Sequence, residues 1–182
     1  MNQTPLKSKR QQRPLLITSF RPWKVHQAVN SSDILVTAVE SRLPENAVVV
    51  RNLPVSFDLA PLETLQQVML HRPRAVVCCG MAEKRPLLTV ERYGTYNKQR
   101  LETSLDLNAL IDQTIHTRIS TSAGSFVCNR LYYRLLRHLQ QSGVKTPALF
   151  VHVPLITDYN RQVVEFDFLK IIRYLNAAPA LR

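Results

Sequence analysis

The chain alternates short apolar runs with polar stretches that carry Pro, Gly or Ser, and the runs are of strand or helix length. Residues 14–20, PLLITSF, break at a polar segment containing Pro22, as a buried strand feeding a loop does. Ser31 or Ser32 can cap a helix to about Arg42, with Ile34, Leu35, Ala38 and Val39 on one face. Residues 47–50, AVVV, read as a second strand, and Asp58 and Pro61 open a helix with Leu62, Leu65 and Met69 at helical spacing. After Pro73, residues 75–79 (AVVCC) form a central strand that stops at Gly80. Residues 87–90 suggest a further strand leading into ERYGTYN, whereas 97–112 is polar and shows no clear period. Residues 117–121 read as a strand, SAG as a turn, 125–141 as a helix, 148–153 as an apolar strand and 165–175 as a final amphipathic helix.

This order predicts an α/β protein, a single three-layer α/β/α domain around a central mixed, mostly parallel sheet. The length of 182 residues suits one well-packed domain and not two. The domain is assigned to residues 14–182. Residues 1–13 are assigned to a disordered basic N-terminal tail, because Lys7, Lys9, Arg10 and Arg13 stand there among few apolar residues. No stretch approaches the roughly 20 apolar residues of a membrane span, and no signal-type apolar run follows the basic start. A cytoplasmic protein with no membrane partner is the expectation.

Charge widens the field of partners. Lys and Arg total 24 against 13 Asp and Glu, a net +11, which favours acidic partners or nucleic acid. Arg130, Arg134 and Arg137 would line one side of a helix. No zinc finger, aromatic RNA-binding signature or helix-turn-helix accompanies that charge, which argues against nucleic acid. The cysteines narrow the field again. Cys78 and Cys79 are neighbours on a strand and must point to opposite faces. There is no CxxC and no Cys/His spacing of metal-site type, so no metal is expected, and reduced thiols fit a reducing compartment.

Three residues carry candidate chemistry. In SAGSFVCNRLYYRLLRHL, Cys128 falls in or near the first turn of a helix, where unpaired amides favour a thiolate. Spacing alone favours an inert core cysteine instead. His152 lies near the end of the run ALFVHV, at a strand end where α/β domains meet ligands. It reads equally well as a histidine satisfied by a carbonyl. Glu91 follows a short strand in VERYGTYN and could orient an imidazole, or simply be exposed there.

Taken together, VVCCGMAEKRPLLTVER, STSAGSFVCN and LFVHVP resemble, in order, the three active-site blocks of the pyroglutamyl peptidase I family of cysteine peptidases, and TSFRPW resembles its N-terminal strand and substrate loop. The resemblance runs from about Leu15 to the final helix. It implies removal of N-terminal pyroglutamate from peptides through a Glu91, Cys128, His152 triad and a thioester, with no cofactor. By the same resemblance Phe20 and Trp23 would hold the flat lactam ring, and Phe126 and Val127 would line the same pocket. Arg100 is the nearest match to an arginine that helps the oxyanion. A peptide or small amide is the implied partner, and relatives often form homo-oligomers.

The chain departs from the family in places. TSFRPWKVH has Ser19, Lys24 and Val25 where the family has glycines, so that loop must take another path. ERYGTYN is one residue longer than the family's block, with Asn97 as its matching Asn, and the segment between Asn97 and Thr117 is shorter than usual. These changes open two alternatives: a triad hydrolase of another small N-acyl or lactam amide, and a non-catalytic relative that binds through its scaffold.

Overall fold

In a computed structural model, residues 12–23 and 28–177 are described. Lys24 and Val25, and residues 1–11 of the assigned tail, lie outside them. The chain runs β1 (Leu15–Phe20), α1 (Ser31–Val39), β2 (Val48–Leu53), α2 (Leu59–His71), β3 (Ala75–Met81), β4 (Thr89–Glu91) and the hairpin β5 (Tyr93–Tyr96) and β6 (Gln99–Glu102). Then follow α3 (Leu107–Ile111), β7 (Arg118–Ser120), α4 (Val127–Gln141), β8 (Ala148–Val153) and α5 (Arg161–Ala177). Six strands form one sheet in the order β2-β1-β3-β8-β4-β7. All neighbours are parallel except β4 and β8, so the sheet is mixed and mostly parallel as the pattern predicted.

Alternation along the strands divides the core in two. Leu15, Ile17, Val77, Cys79, Val90, Leu149, Val151 and Val153 face α1, α3 and α5, where they meet Leu35, Val36, Leu107, Phe168 and Ile172. Leu16, Phe20, Val76, Cys78, Ala148 and Phe150 face α2 and α4, where they meet Ala60, Val68, Leu131, Tyr132 and Leu135. Cys78 and Cys79 thus belong to different cores, as adjacent strand residues must.

Some local expectations shift. Asn30 caps α1 rather than Ser31 or Ser32, its side chain accepting from Ser32 N at 3.0 Å. β3 does not stop at Gly80 but continues to Met81. On α2 the buried stripe is Ala60, Pro61, Thr64 and Val68, while Leu62 and Met69 face solvent. Small residues allow the helix to approach β1 and α4 closely, and packing outranks apolarity there. The unassigned stretch holds the hairpin turn, with Asn97 at φ 45° and Lys98 at φ 64°, and the short α3. Arg13, at the end of the assigned tail, donates to the Arg72 carbonyl at 2.6 Å and the Pro73 carbonyl at 2.7 Å.

Candidate active site

β3, β8 and β4 lie side by side, and their register decides which side chains can meet. Gly80 pairs with His152 across β3 and β8, and β4 runs antiparallel beside β8 with Thr89 opposite His152 and Glu91 opposite Phe150. Gly80, His152 and Glu91 therefore share the face covered by α4, the helix that carries Cys128. His152 Nδ1 meets Glu91 Oε1 at 2.7 Å, and both groups are buried. With Nδ1–H donated to the carboxylate, Nε2 is left as the basic nitrogen of a ring that lines the cavity. The ring also rests on Phe150, centroid to centroid 4.9 Å.

Glu91 is held from several sides. Arg85 Nη1 donates to the same Oε1 at 2.5 Å and to Thr89 Oγ1, and Arg85 Nη2 donates to the Ser122 carbonyl at 2.8 Å. The Tyr132 hydroxyl of α4 donates to the Glu91 carbonyl at 3.0 Å. Burial pushes the carboxyl up, but the His152 hydrogen bond and charge, backed by Ser120 and Arg85, outweigh it and hold Glu91 below the ordinary carboxylate value.

Cys128 is the second residue of α4. Its sulfur lies over the Gly80 backbone, where a Cβ would stand 2.7 Å from Cys128 Sγ and 2.8 Å from Phe150 Cζ. Only glycine leaves room for the sulfur beside the His152 strand. Burial raises the thiol to about 12, more than its own backbone amide lowers it, so the expected helix-terminus effect is outweighed. Among the described residues no hydrogen bond joins Cys128 Sγ to His152, and such bonds often tighten only with substrate bound. Phe126, the residue that caps α4, supplies no side-chain hydrogen bond, which leaves the first-turn amides to seek another acceptor.

The helix start is tied to the hairpin. Asn129 accepts from Thr95 N at 2.8 Å and donates to the Thr95 carbonyl at 2.7 Å. Gly94 lets β5 run against the Tyr133 backbone, 2.7 Å from where a Cβ would sit.

Cys128 and His152 open on one cavity of about 580 Å³, walled also by Phe20, Trp23, Phe126, Val127 and Arg85. Phe20 and Val127 are buried, whereas Trp23 and Phe126 are exposed and meet in a tilted contact with centroids 4.7 Å apart, with Phe57 edge-on to Phe126 at 5.8 Å. Arg100 does not line this cavity. It sits on β6 with its guanidinium 3.5 Å above the Tyr93 ring. Two arginines of the α4 stripe are also engaged, Arg130 over the Tyr96 ring and Arg134 with Asp58 at 3.0 Å. Among the described residues no cluster of His, Cys, Asp or Glu could hold a metal ion.

Sequence reasoning missed Gly80 as a spacer and Arg85 as a partner of Glu91. Both lie in the block GMAEKRPLLTVER, but only the turn of residues 82–88 and the antiparallel placement of β4 bring Arg85 back onto Glu91.

A family model described as pyroglutamyl peptidase matches residues 13–103 and 101–167. The pyrrolidone-carboxylate peptidase of Gloeobacter violaceus is 29% identical, over 79% of this chain and 82% of that protein. That of Vibrio vulnificus (strain YJ016) is also 29% identical, over 80% of each. Among solved structures, the pyrrolidone carboxyl peptidase from Thermococcus litoralis superposes with a TM-score of 0.74 at 21% identity, covering 93% of this chain and 98% of that one. The pyroglutamyl peptidase I from Bacillus amyloliquefaciens superposes with a TM-score of 0.75 at 20% identity, covering 94% and 96%. At that identity the structures speak for the fold.

Proposed function

Because the chain belongs to the pyroglutamyl peptidase family, we propose that it is a cysteine peptidase that removes N-terminal pyroglutamate from peptides, with Cys128 as nucleophile, His152 as base and Glu91 as the group that orients it. The observation that carries the reading is the buried Glu91–His152 hydrogen bond beside a thiol on the same cavity.

The Cys128 proton passes to His152 Nε2 as the sulfur attacks the pyroglutamyl carbonyl carbon. Amides of the first turn of α4 meet the oxyanion, a contribution of about 3–4 kcal/mol per well-placed donor. The C–N bond then breaks, the leaving amine takes the proton from Nε2, and a thioester remains. Water gives its proton to the same nitrogen, attacks the thioester, and releases pyroglutamate and the thiol. Arg100 is no part of this scheme, since its side chain is committed to Tyr93. Phe20, Trp23, Phe126 and Val127 supply an apolar, partly aromatic wall that suits a neutral flat lactam.

The experiment is release of a fluorophore from a pyroglutamyl amide by the wild type and by Cys128→Ser. Wild-type turnover with a loss of about 10³-fold or more in the variant is expected. Equal rates, or none in either, would sink the assignment, and a panel of other small acyl and lactam amides run beside it would reveal a shifted specificity. Glu83 and Lys84 on the cavity wall are the observation that favours testing such a shift. Three free thiols suit a reducing cytoplasm. The exposed Leu59, Leu62, Met69 and Leu70 of α2 support assembly of a homo-oligomer, an idea that a monomer mass by light scattering removes.

A further inference from the structure

Glu91 does not stand on the sheet with His152 as its only partner. Arg85 reaches it from residues 82–88 and uses its two terminal nitrogens on two different parts of the site. Nη1 is on Glu91 Oε1, the oxygen that also takes His152 Nδ1. Nη2 is on the Ser122 carbonyl, in the loop that turns through Gly124 at φ 76° and enters α4 just before Cys128. Ser122 is itself bonded to Ser120, the residue paired with Glu91 across β4 and β7, with Ser122 N donating to Ser120 Oγ at 3.2 Å. One planar fork thus spans the carboxylate that orients the base and the loop that delivers the nucleophile.

Resting on the function proposed above, we infer that Arg85 is a positioning residue that locks the Glu91–His152 pair to the Cys128 loop, so that base and thiol keep one relative placement through the reaction. It is not a catalytic residue, because its contacts are to Glu91, Thr89 and Ser122 and not to reacting atoms. Two functions are separable in it. Its charge adds to the His152 and Ser120 interactions that hold Glu91 ionised and able to accept from Nδ1–H. Its second nitrogen holds the loop, which a lysine cannot do while also reaching Glu91. The titratable and charged groups that face Glu91 are Arg85 from the 82–88 turn, His152 from β8, and Cys128 and Tyr132 from α4. Loss of the Arg85 charge makes protonating Glu91 easier, which drives the acid limb of activity to higher pH, and makes ionising Cys128 harder, which moves the alkylation profile the same way.

The test compares wild type, Arg85→Gln and Arg85→Lys in the full chain. It measures kcat and KM on a pyroglutamyl amide across pH, and in parallel the pH dependence of Cys128 alkylation by iodoacetamide, with Tm as the check on folding. Arg85→Gln should lose about ten- to a hundredfold in kcat, the scale of losing a partner that orients a metal-bound histidine. KM should change little, and the acid limb should move up in both assays. Arg85→Lys should return the acid limb to its wild-type position while recovering only part of kcat. An unshifted limb and wild-type kcat in Arg85→Gln overturn the inference, and so does full recovery of kcat by lysine. If glutamine prevents folding, the lysine variant alone decides, by whether kcat falls with the limb unmoved. Should the wild type leave the pyroglutamyl amide intact while the alkylation limb still shifts in Arg85→Gln, the substrate assignment fails and the role of Arg85 stands.

Discussion

The two faces of the sheet are built from the same strands and do different work. The face against α1, α3 and α5 is apolar along the full length of the central strands, with Val77, Cys79, Val151 and Val153 packed on Phe168 and Ile172. The face against α2 and α4 is equally apolar at the start of those strands, through Val76 and Ala148, but changes character at their ends, where Gly80, His152 and Glu91 stand under Cys128. One face supplies cohesion, and the other gives up part of its packing at the strand ends for a hydrogen-bonded pair and a cavity. Cysteines mark the contrast. Cys78 and Cys79 are fully buried and burial pushes both thiols up, Cys78 to about 12. Cys128 is raised as far by burial, yet it alone of the three opens on the cavity beside an imidazole. What sets Cys128 apart is the imidazole on its cavity, the neighbour to which the proposed mechanism gives its proton.

The sharpest way to break this contrast is Glu91→Gln on the site face. With the imidazole no longer oriented by a carboxylate, kcat should fall by about 10²–10⁴-fold, read on the pyroglutamyl amide. The same variant tests the acid side of stability. Glu91 has a depressed carboxyl pKa in the fold, so its stabilisation is complete above the unfolded value of about 4.3 and is lost as pH falls through the lower folded value. The stability gap between wild type and Glu91→Gln, followed by denaturant titration, should therefore shrink in that acid window. Phe168→Ala on the opposite face should do the reverse, lowering stability by about 3–5 kcal/mol while kcat per folded molecule stays near wild type. A large fall in kcat there would show that the faces are not independent. Gly80→Ala sits between the two. Its methyl meets both the sulfur and Phe150, so a loss of about 1–3 kcal/mol in stability and about tenfold in kcat is expected, read by Tm and by turnover.

The chain's pattern revealed one face more fully than the other. Runs such as PLLITSF, AVVCC and ALFVHV are buried on both sides, so their apolarity marks them as strands of a covered sheet. The helix entered through SAGSF follows from its Val127, Leu131 and Leu135 spacing, and the structure starts it one residue before Cys128. Harder to see was anything set by shape. On α2, Ala60 and Thr64 rather than Leu62 define the buried stripe, because backbone proximity selects small residues and hydropathy does not register it. The hairpin of Tyr93–Glu102 was hidden because Asn97-Lys98 lacks the glycine that usually signals such a turn. Within the site, Glu91, Cys128 and His152 are recognisable from their flanking blocks. Arg85 is not, because its partner depends on how residues 82–88 fold back, and Arg100, the nearest match by resemblance, has its side chain over Tyr93.

The strand order has a consequence for how the molecule comes into being. β8, which carries His152, is the last strand of the sheet in the chain, yet it lies between β3 and β4 and joins them. Without β8, β3 and β4 have no pairing with one another, and the sheet beneath Cys128 is interrupted. His152 and the strand that joins the two parts of the sheet are thus the same six residues, so the Glu91–His152 hydrogen bond can form only once the sheet is continuous.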